Sequence, residues 1–316
     1  MSRRGKVNPK LIVTADESTV KNFEEAISLF LKECRIKNLA NDTLIYYERE
    51  LLSFVKLLED QKISIIPADV SSDFIKDHLI LYMLNNNKRP ATINAKLRAL
   101  RALYGFLLRE EYITLNPFKD ISLVKQRKEA VETFTKEQIS ILLKVNDQER
   151  FTGLRDYTIM LILLETGIRL RELVDITLDD IRWDINHLEI RGKNGETRLV
   201  PFQRTVRRAL SRYIAVRGQL DTNSLLVSQD DEALSRRRIQ EIIRSAGRRA
   251  NIKGVRCSPH TFRHTFAKIS ILNGADVFDL QKILGHRSLE MVRHYVNLFS
   301  SDVAKKHKYF SPVENL

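Results

Sequence analysis

The chain has 316 residues, 43% of them hydrophobic and 29% charged, with a formal net charge of +13. That length points to two domains, the composition excludes a disordered or fibrous protein, and the basic excess favours a polyanionic partner, nucleic acid foremost. Two cysteines exclude a disulfide framework and argue against a zinc site, no apolar run reaches membrane-spanning length, and MSRRGKVNPK is followed by no signal-peptide stretch, so a cytoplasmic protein with no membrane partner is expected.

Four helices are predicted over residues 23–36, 43–59, 72–84 and 91–110, each with apolar residues three to four apart, as in Phe23, Ala26, Ile27, Phe30 and Leu31. That suffices for a small helical bundle. The fourth follows the tripeptide KRP, and from there Lys88, Arg89, Lys96, Arg98 and Arg101 occur with no acid among them, a pattern that suits a phosphate backbone or simply solvent. Within LNPFKDISLVKQRKEAVETF the periodicity breaks, so residues 116–134 read as a linker between a first domain at 21–115, preceded by an extension at 1–20, and a second at 135–300.

Thr135 with Gln138 makes a capping box that opens a helix at 136–144. A helix at 155–165, with the core TIMLILL, is too apolar for a surface element and ends at Gly167. The segment HLEIRGKNGETRLVPF changes period, and its Asn194-Gly195 pair signals a hairpin with Lys193 at the lip. Helices resume at 205–217, 235–250, 259–272, 277–284 and 288–299, ahead of a tail at 301–316. The second domain is therefore mostly helical with one small sheet.

The decapeptide SPHTFRHTFA places His260, Arg263 and His264 within one turn of a helix that Pro259 can open. The two histidines have the spacing of a metal pair, but no Glu follows His260, and a guanidinium beside them would repel a cation. Arg263 suits an anion instead, because its planar fork matches phosphate oxygens. A core histidine beside a solvated arginine is the plain alternative. Three further stretches carry polar residues that a structural helix does not require. TGIRLRELVDI sets Arg169 just after Gly167, with Glu172 three residues on; RGKNGETRLVP supplies Lys193; LGHRSLEMVRHY gives His286 and, nine residues later, Tyr295. Singly, each has a structural reading: a local ion pair, a solvated lysine, a core tyrosine.

Taken in this order, the stretches resemble the tyrosine recombinase or phage integrase family, which includes the Xer recombinases that resolve chromosome dimers. The family's T-G-hydrophobic-R-x-x-E-L motif is TGIRLREL with Arg169, its hairpin lysine falls on Lys193, its H-x-x-R box is His260 to Arg263, its L-G-H motif gives His286, and its nucleophile falls on Tyr295. KRPATINAKLRALRALYGFLLREE looks like the last helices of the family's DNA-gripping domain, so the resemblance spans nearly the whole chain. Arg171 departs from it, small residues being frequent there. The resemblance implies a mainly α fold with a small antiparallel β-sheet in the C-terminal domain. The two domains, a helical SAM-like core-binding domain and a mixed α/β catalytic domain, would form a DNA clamp. It further implies a site-specific DNA recombinase that cuts and rejoins strands through a covalent 3′-phosphotyrosyl intermediate, with no cofactor, metal or ATP, and the sequence holds no GxxxxGK[ST] loop.

Chemistry accounts for the residue types. Arg169 and Arg263 are expected to clamp the phosphate, with His286 adding a hydrogen bond. A phenol with an unperturbed pKa near ~10 needs a base, for which His260 is the candidate, and the departing 5′ oxygen needs a proton, for which Lys193 is the candidate acid. Glu172 is expected to orient an arginine from behind, and His264 to hold its helix or a neighbour. Arg236 and Arg237, on the arginine-rich 235–250 helix, are expected to face DNA opposite the basic residues of the first domain. The implied partner is double-stranded DNA with short inverted-repeat sites, bound by a homotetramer or by a heterotetramer with a related recombinase, at the nucleoid. In the tail, Val303, Tyr309, Phe310 and Val313 suit docking on a neighbouring subunit or folding back on their own domain. About twenty residues precede the first helix, too few for an arm-binding domain. Integration, excision, dimer resolution and movement of a mobile element all fit. Two rivals remain: a type IB topoisomerase-like nicking-closing enzyme, and a non-catalytic DNA-binding protein.

Overall fold

In the computed structural model, residues 20–126, 131–192 and 195–285 are described, and the chain divides into two units, Met1–Lys128 and Glu129–Leu316. In the first unit, α1 (Phe23–Ile36) opens on Asn22, whose side chain accepts the Glu25 N–H at 2.8 Å. It packs with α2 (Asn41–Asp60) and α5 (Pro90–Arg109), and Phe23 meets Phe54 edge-on at 5.4 Å. The helix predicted over 72–84 is a continuous run of α3 (Ser72–Ile75), a π-helical stretch Lys76–Leu81 and α4 (Tyr82–Asn85). Apolar spacing does not distinguish that wider winding from an α-turn. Residues 116–126 are built into this unit: Phe118 and Ile121 are buried in its core, and Asn94 holds both the N–H and the carbonyl of Val124, at 2.8 and 2.9 Å.

The second unit begins as its capping box dictates. Thr135 Oγ1 accepts the Gln138 N–H at 3.2 Å and Gln138 Oε1 accepts the Thr135 N–H at 3.0 Å, opening α6 (Lys136–Lys144). Helix α7 (Phe151–Thr166) starts a turn earlier than its apolar run and is buried on nearly every side, which is why its sequence lacks a polar face. Around it lie α9 (Arg204–Arg217), α10 (Arg236–Arg249) and α11 (Pro259–Leu272). A short α8 (Leu170–Val174) follows α7. The sheet has three antiparallel strands in sequence order, β1 (Ile181–Arg182), β2 (His187–Arg191) and β3 (Thr197–Pro201). Leu188 pairs with Val200 and Ile190 with Arg198. At two residues, β1 is too short to show alternation in the sequence. Helix α12 (Val277–Leu284) packs on α11 and β3. The predicted helix at 288–299 and the tail lie outside the described residues.

Gly167 joins the pieces that matter most. It ends α7 in the left-handed region at φ +59°, and a Cβ there would lie 2.3 Å from Phe266 Cδ1 and 2.9 Å from Leu284 Cδ2. Conformation and space both demand glycine where α7, α11 and α12 meet. Gly167→Ala is expected to cost about 2 kcal/mol. Urea unfolding followed by the fluorescence of Trp183, the chain's single tryptophan, reads the second unit; the midpoint should fall with the slope unchanged, and a wild-type midpoint would contradict this packing.

Candidate active site

Arg169 caps the N-terminus of α8, and Glu172, three residues on, folds back beneath it. Glu172 Oε2 accepts the Arg169 N–H at 2.8 Å and Oε1 accepts Arg169 Nη1 at 3.0 Å. The same carboxylate takes a second arginine: Arg198, on β3, donates Nη1 to Oε1 at 3.1 Å and Nη2 to Oε2 at 2.8 Å, a fork-to-fork pair. Burial pushes the Glu172 carboxyl up, but the Arg198 and Arg169 hydrogen bonds and charges outweigh it and hold the group below its usual range. Glu172 therefore stays ionised at neutral pH.

Three guanidinium groups meet the carbonyl end of α12. Arg198 Nε donates to Ile283 at 2.9 Å, Arg169 Nη1 and Arg263 Nη2 both donate to Leu284 at 3.3 and 2.9 Å, and Arg169 Nη2 reaches Gly285 at 3.2 Å. A helix leaves its last carbonyls without intrahelical donors and bears partial negative charge there, so cations suit the position. Arg263 is buried and also donates Nη1 to Gly167 at 2.6 Å; Arg169 is the more exposed of the pair. Two arginines separated by 94 positions thus converge on one oxygen, with Gly285 immediately preceding His286 in the chain. Lys193, His286 and Tyr295 lie outside the described residues.

His260, in the first turn of α11, lines a cleft with Arg169, Arg236, Arg237 and Gln240. Burial first, then the positive charges of Arg263, Arg256 and Arg169, lower its pKa, so the imidazole is neutral at neutral pH and able to accept a proton. His264, half-buried, lines an adjacent cavity that also includes His260 and Cys257. Among the described residues no group of three or more His, Cys, Asp or Glu is placed to hold a metal. The structure therefore gathers Arg169, Glu172, His260 and Arg263 with Arg236 and Arg237. Sequence reading missed Arg198 and Arg256. A signal for Arg198 was present: in TRLVP it shares a strand face with buried Val200, while Leu199 faces out at 50% exposure. An arginine on an inward face needs an acid, and Glu172 is that acid.

In the first unit Lys88, Arg89, Arg98 and Arg101 are exposed, and Arg101 donates to the Ile121 carbonyl. Lys96 is not a surface residue. It is 5% exposed, with Nζ 2.6 Å from Ser53 Oγ and 3.3 Å from Glu50 Oε2 on α2, and this corrects its reading as a DNA contact. The helical turn sets Lys96 on the apolar stripe of Ile93, Leu97 and Leu100.

The sequence profile of the phage integrase family matches residues 132–301, and that of the phage integrase N-terminal SAM-like domain matches residues 19–111. The chain belongs to the phage integrase family. The tyrosine recombinase XerD of Staphylococcus epidermidis is 30% identical over 285 residues, covering 87% of this chain and 94% of its own length. The tyrosine recombinase XerC of Anoxybacillus flavithermus is 31% identical over 288 residues, covering 88% and 95%. Among solved structures, the XerH site-specific recombinase bound to palindromic difH substrate superposes with a TM-score of 0.72 at 19% identity, covering 93% of this chain and 86% of that one. The Tn1549 transposon integrase in complex with a circular intermediate DNA gives 0.71 at 22%, covering 92% and 99%. These two likenesses establish the fold, mainly α with a small antiparallel sheet in the C-terminal half. Membership of the family makes the chain an enzyme of the tyrosine recombinase type. No helix among the described residues is long and apolar enough to cross a membrane.

Lys96→Met in this integrase-family chain is expected to lower the stability of the first unit by about 2 kcal/mol, less than for a fully orphaned charge because Arg49 still pairs with Glu50. The salt slope of DNA binding should not change, since a buried lysine releases no phosphate counterion. Calorimetric unfolding and a salt titration of affinity check both; a shallower slope would return Lys96 to the DNA surface.

Proposed function

We propose that the chain is a site-specific recombinase that cuts and rejoins duplex DNA through a covalent 3′-phosphotyrosyl link to Tyr295. The observation that supports it most is the convergence of Arg169 and Arg263 on the Leu284 carbonyl, with His260 held neutral by burial and by their field. Two fixed cations at one point suit the charge that develops on the non-bridging oxygens of a phosphodiester in displacement, and loss of one such donor typically costs about a hundred- to thousandfold in rate. Tyr295 Oη attacks phosphorus as His260 takes the phenolic proton. The bond to the 5′ oxygen breaks, and Lys193 supplies the proton that oxygen needs. The phosphotyrosyl bond keeps the free energy of the broken linkage, so a 5′-hydroxyl from a second strand reverses the step and reseals DNA without ATP. His286 adds a hydrogen bond to the phosphate, and His264 holds α11.

The partner is duplex DNA with short inverted repeats, engaged through Lys88, Arg89, Arg98 and Arg101 of the first unit and Arg236 and Arg237 of the second, by a tetramer in the cytoplasm. Supporting this, XerH and the Tn1549 integrase were both solved on DNA. The test starts by footprinting the protein on DNA flanking its gene, then denaturing the complex and probing for a covalent adduct. Wild type should form the adduct and Tyr295→Phe should not; an adduct that persists in Tyr295→Phe removes the tyrosine from the mechanism. The rate of adduct formation carries a second readout. Because the His260 pKa lies below its ordinary 6.5, the base form persists into mild acid, and the rate should fall only as pH drops through a value under 6.5. An acid limb above 6.5 would contradict His260 as the base.

A further inference from the structure

Arg198 has no part in the mechanism above, yet it joins three of its supports. Its strand, β3, begins shortly after Lys193 in the chain; its fork grips both oxygens of Glu172; and its Nε holds the Ile283 carbonyl at 2.9 Å, near the end of the helix that precedes His286 in the chain. The side chain is only 16% exposed, and Gly285, at φ +61°, leaves it room: a Cβ there would lie 2.9 Å from Arg198 Cζ. A lysine cannot reproduce this set, since one ammonium lacks the planar fork that spans a carboxylate while a third N–H reaches elsewhere. If Arg198 were lost, Glu172, buried and ionised, would have Arg169 as its remaining guanidinium among the described residues and would draw it inward, away from the cleft shared with His260.

We propose that Arg198 is a positioning residue for strand cleavage: by sharing the charge of Glu172 and pinning the end of α12, it keeps the Arg169 guanidinium beside Arg263, facing the phosphate. This rests on the recombinase reading. The test measures single-turnover adduct formation by the full chain on the footprinted duplex, with DNA affinity in parallel, for R198K, E172Q and the double variant. R198K should form the adduct about 10- to 100-fold more slowly at unchanged affinity, the cost of a misplaced group rather than a missing contact. The two losses should combine to less than their product, since both act through Arg169. A structural role alone would lower rate and affinity together and leave the losses multiplicative, and either result overturns the proposal, as does a wild-type rate in R198K. Arg198→Gln, which keeps a planar donor for Glu172, is read in the same way should R198K fail to fold. If wild type forms no adduct, the recombinase reading itself falls; if wild type reacts and R198K matches it, only the role of Arg198 falls.

Discussion

The site depends on how the carbonyl end of α12 is satisfied. Helices commonly end on a left-handed glycine with water or backbone donors at the last carbonyls, whereas here the carbonyls of Ile283, Leu284 and Gly285 are met by Arg198, Arg169 and Arg263. The helix end is therefore a template. It draws residues from α8, β3 and α11 to one place and ties them to the segment that continues into His286.

Such a gathering carries an electrostatic cost. Sharing the Leu284 oxygen keeps the bonded nitrogens of Arg169 and Arg263 within about 6 Å, where like charges repel by roughly 3 kcal/mol at an effective dielectric constant near 20. A helix C-terminus offsets about 1 to 2 kcal/mol of that in a partly buried setting, and Glu172 contributes more. Under the proposed function, a phosphodiester anion entering the cleft would relieve the remaining repulsion. Burial, together with the same field, keeps His260 unprotonated, so under the proposed function positive charge that would otherwise only destabilise the fold serves both to bind the phosphate and to preserve a base beside it.

How much of this was legible depended on the range of the interactions. The Thr135–Gln138 capping box, the helix stop at Gly167 and the hairpin around Gly195 involve residues a few positions apart, and the sequence displays them directly. The order of Arg169, Lys193, His260, Arg263, His286 and Tyr295 was legible as a family resemblance, but the meeting of Arg169 with Arg263 spans 94 positions and passes through a backbone oxygen, which no residue code reports. The π-helical turn at Lys76–Leu81 and the two-residue β1 leave too little periodicity to detect. Lys96 and Arg198 are set by local pattern: Lys96 lies on the stripe of Ile93 and Leu100, which outweighs its charge, and the alternation in TRLVP sets Arg198 inward.

Under the proposed function, Arg169 and Arg263 act as one unit on one phosphate. A double-mutant cycle of Arg169→Lys and Arg263→Lys, read as the rate of single-turnover strand cleavage, tests that most directly. Each single change should cost about a hundredfold or more, and the double variant little beyond the worse of the two. Losses that multiply would mean that the two guanidiniums act on separate events, and would contradict a shared site at the end of α12.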